Sequence, residues 1–248
     1  MTDLEPKPLP ALDSPLRHIP SRLNARQRLF LDGIRLSIEM TWGAYSRLTI
    51  GLTTLAQIAR EAGNVPIGAH AAMMLDAWSI VDGLHRLRTL LDQSPGMKKS
   101  TPTYQLFKRE TASVEDLRNH VQHLDQEFSK AGDAPPPAWG ELAWVGLVDH
   151  GPPLRLAGCA IVPGAHFDRI TPMVNPCGKP FHGVIDHIQL AAFGMVADLS
   201  QLCRALETFA GKLDKGLSES FATSDLTPGG SDMLIALDIV CGNPDQTT

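Results

Sequence analysis

Arg118 and His123 stand five residues apart in the segment 113–128, SVEDLRNHVQHLDQEF, with Asn119 directly after the arginine. An arginine stays charged and can hold a phosphate through two parallel N–H donors. A histidine, with an ordinary pKa of about 6.5, can take up a proton and return it near neutrality. Together the two side chains suit attack of a ribose 2′-OH on the neighbouring phosphate, with His123 as base or acid and Arg118 on the scissile group. Such a reaction leaves a 2′,3′-cyclic phosphate and needs no metal. Helix geometry sets a limit, because five residues turn about 500° and leave the two side chains about 140° apart. The pair therefore needs either a long swing of the arginine or a second subunit. An isologous dimer would bring two such pairs into one cleft.

The element that must position them is an amphipathic helix. Ser113 followed by Asp116 reads as a capping box, and Val114, Leu117, Val121, Leu124 and Phe128 form an apolar stripe. The predicted helix ends near Gly132. The remaining polar side chains have structural readings. Arg118 can pair with Glu115 or Asp125, His120 borders the stripe as a packing residue, and Asp125 is a surface carboxylate or an orienting group for a partner's histidine.

Three more long helices are expected around it. One runs from Asn24 to Gly63 on Phe30, Ile34, Ile38, Trp42, Tyr45, Leu48, Leu52, Leu55 and Ile58. A second covers about 67–93, with Asp82 and Arg86 at ion-pair spacing and His85 beside them. Those three residues read equally as an intra-helix pair or as support for the Arg118 site. A basic connector with a short helix after Pro102 leads into 113–128. Beyond Pro135–Pro137 the pattern becomes strand-like: a hairpin of 139–148 and 154–162 about the turn 149–153, then a strand over 184–193. The fourth long helix carries Val196, Leu199, Cys203, Leu206 and Leu213 inward, and 233–240 reads as a last buried strand. The expected fold class is mainly α with a small antiparallel sheet (α+β). It is a four-helix bundle with a β insertion between the third and fourth long helices. Residues 1–20, with Pro6, Pro8, Pro10, Pro15 and Pro20, form an extended arm that is disordered or draped over a neighbour.

Arg-x4-His with a polar residue after the arginine, on a helix of a bundle, resembles the signature of the HEPN superfamily (higher eukaryotes and prokaryotes nucleotide-binding). The resemblance spans about 24–131 plus the fourth long helix, and leaves out the arm and the sheet. It implies a single HEPN-like domain over 21–248, with β elaboration at about 138–193 and 232–241. It also implies a homodimeric, metal-independent endoribonuclease of toxin or defence type, with Arg118, Asn119 and His123 as catalytic residues. The partners it implies are an RNA substrate and an antitoxin or other protein. A non-catalytic HEPN-like module that binds a protein, a nucleotide or a nucleic acid is the alternative.

Composition bounds these expectations. The chain has 248 residues, 43% hydrophobic and 20% charged, with net charge −5, so the whole molecule is no generic polyanion binder. Charge is nonetheless uneven. Over 86–109, Arg86, Arg88, Lys98, Lys99, Lys108 and Arg109 face Asp92 alone, a local charge of +5 that leaves −10 on the rest. Arg86, Lys98, Lys99, Lys108 and Arg109 are therefore candidate nucleic-acid contacts, and a solvated basic loop explains them as readily. The start of the chain is acidic and proline-rich, which excludes a secretory signal, and no apolar run is long enough to span a bilayer. Four scattered cysteines, Cys159, Cys177, Cys203 and Cys241, read as reduced thiols of a cytoplasmic protein. No cofactor and no metal are expected. Cys177, His182, Asp186 and His187 lie within eleven residues, but neighbours in a regular strand point to opposite faces. His150, His166 and Asp168 add no recognised ligand spacing.

Overall fold

Asn24 starts the first helix as the sequence predicts. Its side chain accepts the Gln27 N–H, and the Gln27 side chain accepts the Asn24 N–H in return, a reciprocal cap. The computed structural model describes residues 7–61, 65–123, 137–149, 151–161, 175–222 and 236. Helix α1 is Ala25–Arg60, α2 Ala69–Gln93, α3 Pro102–Glu110 and α4 Ser113–Gln122. Strands β1 (Glu141–Asp149), β2 (Arg155–Ile161), β3 (Ile185–Ala192) and β4 (Met195–Asp198) precede α5, Leu199–Phe221. The architecture is α+β, with one four-stranded antiparallel sheet in the order β2-β1-β3-β4 among the described residues.

One apolar core joins helices and sheet. Ile34, Ile38, Leu48 and Leu52 of α1, Ile80, Leu84 and Leu87 of α2, Val114 and Leu117 of α4, Leu142 and Ile188 of the sheet, and Leu199 and Leu206 of α5 all belong to it. Helix α1 packs along α2, α4 rests on α2 and β4, and α5 lies against α3 and β3. The expected hairpin forms, with Leu142 opposite Ile161 and Leu147 opposite Leu156.

The proline arm lies on its own chain. Trp42 Nε1 donates to the Lys7 carbonyl at 2.8 Å, Arg17 pairs with Glu39 at 2.7 Å, and Ser14 donates to Asp214 of α5 at 2.6 Å. Leu16 of the arm is buried in the apolar core.

Two differences from the sequence reading bear on the site. Val196 is exposed on β4 and not on the inner face of the last helix. A two-residue turn, Phe193–Gly194, with φ of 51° and 78°, reverses the chain there, and α5 begins only at the Asp198 cap, whose carboxylate accepts the Gln201 N–H. The strand expected over 233–240 lies outside the described residues.

Close approach of α1 and α2 depends on Gly83, where a Cβ would run into the Thr41 hydroxyl. That hydroxyl is buried and donates to the Ser37 carbonyl at 2.7 Å. Gly83→Ala is expected to destabilise the protein by about 1–3 kcal/mol through overpacking, even though alanine is the better helix former by about 1 kcal/mol. Urea denaturation measures the difference.

Candidate functional site

Helix α4 departs from expectation at both ends. Ala112 stands at its N-terminus in helical conformation, with no side-chain cap, so Ser113 and Asp116 do not form a capping box. The reason is the elbow: only Thr111 and Ala112 separate α3 from α4, and their carbonyls already accept the N–H groups of Val114 and Glu115. At the other end, His123 leaves helical geometry (φ −113°, ψ 36°), and its N–H donates to the His120 carbonyl. The described helix is thus ten residues long. Leu124, Asp125 and Phe128 lie outside the described residues.

A buried arginine fastens this helix to α2. Arg88 donates through Nη1 to the Thr111 hydroxyl and the Lys108 carbonyl, both at 2.6 Å, and its Nη2 lies 2.8 Å from Glu115. The hydrogen bond from Arg88, working against partial burial, holds the Glu115 carboxyl below its ordinary range.

Arg118 meets α2 one turn further on. Its Nε lies 2.7 Å from Asp82 Oδ1. The N–H is not aimed at the oxygen, so the contact is an ion pair and not a directed hydrogen bond. Asp82 therefore serves Arg118, and Glu115, the partner considered from the sequence, serves Arg88. His85, three residues on from Asp82, has a buried Nδ1 without a hydrogen-bond partner. Asn119 and His123 are exposed. His120 donates from Nδ1 to the Asp116 carbonyl and stacks on Phe193 at 6.4 Å between ring centres, which fits the packing role expected of it.

The basic residues divide. Arg86, Lys98, Lys99 and Arg109 are exposed. Lys108 is ion-paired with Asp92 at 2.9 Å and lies 3.6 Å from Glu115, so its charge is compensated within the chain. Asp92 also accepts the Tyr104 hydroxyl.

A second polar centre forms around Asp186 and His187, which the sequence offered only as possible metal ligands. Strand β3 carries an extra residue opposite Trp144: Ala143 pairs with Gln189 and Val145 with Asp186, leaving His187 and Ile188 between. His187 takes a left-handed φ of 53°, which a non-glycine residue adopts only under local constraint. The constraint is Asp186, 1% exposed, whose carboxylate accepts the His187 N–H, the His182 N–H and Arg204 Nη1 at 2.7, 2.8 and 2.6 Å. Burial pushes this carboxyl up, but Arg204 and the two N–H groups outweigh it and hold it below its ordinary value. Ser200 of α5 accepts the Ile188 N–H and hydrogen-bonds Tyr45, whose hydroxyl burial pushes to about 12. His187 Nδ1 lies 3.8 Å from Asp198, and its Nε2 is buried without a partner.

No family model, no curated protein and no solved structure matches the chain.

Among the described residues, no group of three or more His, Cys, Asp or Glu side chains is placed to hold a metal ion. Nor is any helix there long and apolar enough to cross a membrane. Both oxygens of Asp186 are occupied by hydrogen bonds. The bulge, not the strand alternation invoked from the sequence, sets the direction of its neighbour His187. What the two polar centres can do differs accordingly. Asp186 is internally satisfied and fixes the joint between β3 and α5. The α2–α4 junction presents a guanidinium, a carboxylate and a histidine at the surface, the groups that phosphate chemistry uses.

Proposed function

We propose that the chain is a HEPN-like, homodimeric, metal-independent endoribonuclease of defence or toxin type. In this reading α1, α2, α4 and α5 are the four members of a helical bundle, and the sheet is an insertion between α4 and α5. His123 takes the proton of a ribose 2′-OH, the O2′–P bond forms, and the P–O5′ bond breaks. The leaving 5′-oxygen is reprotonated by the conjugate acid of a histidine. The products are a 2′,3′-cyclic phosphate and a 5′-hydroxyl. Arg118 holds the non-bridging oxygens, with Asn119 beside it. Arg86, Lys98, Lys99 and Arg109 attract the RNA backbone.

The observation that carries the reading is the Arg118–Asp82 contact at 2.7 Å. The ion pair keeps the guanidinium at the α2–α4 junction, where its N–H groups can meet a phosphate.

The test is incubation of the purified protein with structured and unstructured RNA in EDTA. Wild type is expected to cleave. His123→Ala and Arg118→Ala should each lower the rate by about 10²–10⁴-fold, and His120→Ala should leave it within a few-fold. Absence of cleavage by wild type, or cleavage indifferent to His123 and Arg118, removes the enzyme.

One observation favours a second reading. His123 stands in solvent at the helix end, and within one chain it does not converge with Arg118. A non-catalytic HEPN-like module would use the same surface to bind a protein or nucleotide. RNA or nucleotide binding without cleavage, weakened in Arg118→Ala, would establish it.

A further inference from the structure

A cleft of about 550 Å³ lies where the start of α1, the connector between α2 and α3, and the second half of α5 come together. That volume is within the range of small-molecule sites. Phe209, Leu213, Gly216, Leu217 and Phe221 of α5 line it one after another, a stretch of about 18 Å along the helix. Leu23, Leu31 and Met97 line it from the other elements. Leu31, Met97, Leu213 and Leu217 are only partly buried, so the trough is apolar yet open among the described residues. Gly216 adds to the space, since a Cβ there would meet nothing within 4 Å. Glycine weakens a helix interior, and no packing contact at 216 calls for one.

Charge sits at one end of the trough. Lys98 lies beside the Thr101 cap of α3, its carbonyl accepting the Thr101 N–H. Lys212 is three residues past Phe209, whose ring stacks on Phe107 of the same short helix. Both lysines line the cleft, both are exposed, and neither has an ion-pair partner among the described residues. No aspartate or glutamate among the described residues lines it. Asp92 is taken up by the Tyr104 hydroxyl and Lys108, and Asp214 accepts from Ser14 of the arm. We infer that this cleft binds a single-chain amphiphile with an anionic head, of the fatty-acid type. The chain occupies the trough along α5, and the carboxylate meets Lys98 and Lys212. A compact polar ligand would leave the leucine-lined length unfilled, and a cationic amphiphile would bring its head against the two lysines. Of these residues only Lys98 also figures among the proposed RNA contacts, so the inference does not rest on the ribonuclease reading.

Calorimetric titration of the full chain with dodecanoate, below its micelle concentration, tests it. Saturable binding of one molecule per chain is expected. Dodecyltrimethylammonium, with the same chain but a cationic head, should bind at least tenfold more weakly. Shortening the chain to decanoate and octanoate should weaken binding by about fourfold per methylene removed. Gly216→Leu places a side chain in the trough and should abolish binding, with a urea midpoint no lower than that of wild type. Lys212→Glu, at an exposed position, should weaken dodecanoate binding at least tenfold with unchanged circular dichroism. Absence of saturable binding overturns the inference, and is the result expected if residues outside those described, or a second copy, fill the cleft. Equal binding of the two head groups, or binding indifferent to both Gly216→Leu and Lys212→Glu, overturns it as well. RNA cleavage is assayed separately: a chain that binds dodecanoate and cleaves no RNA keeps the cleft and loses the ribonuclease reading.

Discussion

Replacing Arg88 by methionine is expected to destabilise the protein by about 2–4 kcal/mol and to loosen α4 in particular. Arg88 is 3% exposed and ties three pieces of chain together: α2, the α3–α4 elbow through Thr111 and Lys108, and the first turn of α4 through Glu115. Methionine fills a similar volume but leaves the buried Thr111 hydroxyl oxygen and the part-buried Lys108 carbonyl without this donor, and unmet acceptors out of water are costly. Glu115 is half-exposed and regains water, which keeps the effect below that of a fully buried broken pair. The pH response carries the same signature. Glu115 titrates below its ordinary value in the folded state, so the Arg88 contact stabilises above the unfolded carboxyl pKa, near 4, and fades as pH falls through the lower folded value. Arg88→Met should lose that part of the acid limb. Urea midpoints of Arg88→Met and of the exposed control Arg86→Ala decide the matter, the control being expected within about 0.5 kcal/mol of wild type. Equal midpoints for the two would mean that Arg88 does not hold α4. If Arg88 does hold it, the proposed RNA cleavage should fall in Arg88→Met although Arg88 is not among the residues proposed to act on RNA.

How far the sequence led can be followed residue by residue. The 3–4 spacing of Ile34, Ile38, Leu48 and Leu52 gave α1 its length, and Asn24 with Gln27 gave its start, because these signals are local. The β1–β2 hairpin was legible for the same reason. Helix α4 was harder. Its apolar stripe continues past His123, and nothing in a stripe says where backbone geometry departs from the helix. Thr111 and Ala112 likewise make a cap unnecessary only because α3 ends there. The turn at Phe193–Gly194 was missed because phenylalanine is an unusual occupant of a left-handed turn position. The α2–α4 junction was half legible: Asp82, His85 and Arg86 stood out by spacing, but whether Asp82 serves Arg86 or Arg118 is a matter of tertiary contact. The centre at Asp186 was the least legible, since Tyr45, Asp186, Ser200 and Arg204 come from three elements far apart in sequence, and only a bulge in β3 brings them together. Asp186 and His187 did attract notice, but as metal ligands whose strand alternation told against them. Alternation fails at a bulge.

That centre leads to the other large expected effect. Asp186→Ala should destabilise the protein by about 3–5 kcal/mol, because it withdraws one carboxylate from three donors at once. Arg204 is partly exposed and rehydrates, but the His187 N–H is buried, and the left-handed backbone at His187 loses the acceptor that holds it. Asp186→Asn separates charge from shape. It keeps an acceptor oxygen of the same size, so its cost at neutral pH should be smaller than that of alanine. It removes the ionisation altogether. The wild-type carboxyl is held below its ordinary value, so its stabilising contribution is complete above the unfolded carboxyl pKa, near 4, and is lost as pH falls through the depressed folded value. Urea midpoints taken from neutrality down to about pH 3 should therefore converge for wild type and Asp186→Asn at the acid end and separate as pH rises. Curves that stay parallel throughout would show that the Asp186 charge, as distinct from its hydrogen-bonding shape, contributes nothing to the joint between β3 and α5. The proposed RNA cleavage should survive Asp186→Asn at neutral pH, because the residue acts on the sheet and α5 and not on the α2–α4 junction. If wild type cleaves RNA, a variant that stays folded yet cleaves none would move the proposed functional surface from Arg118 to the bulge.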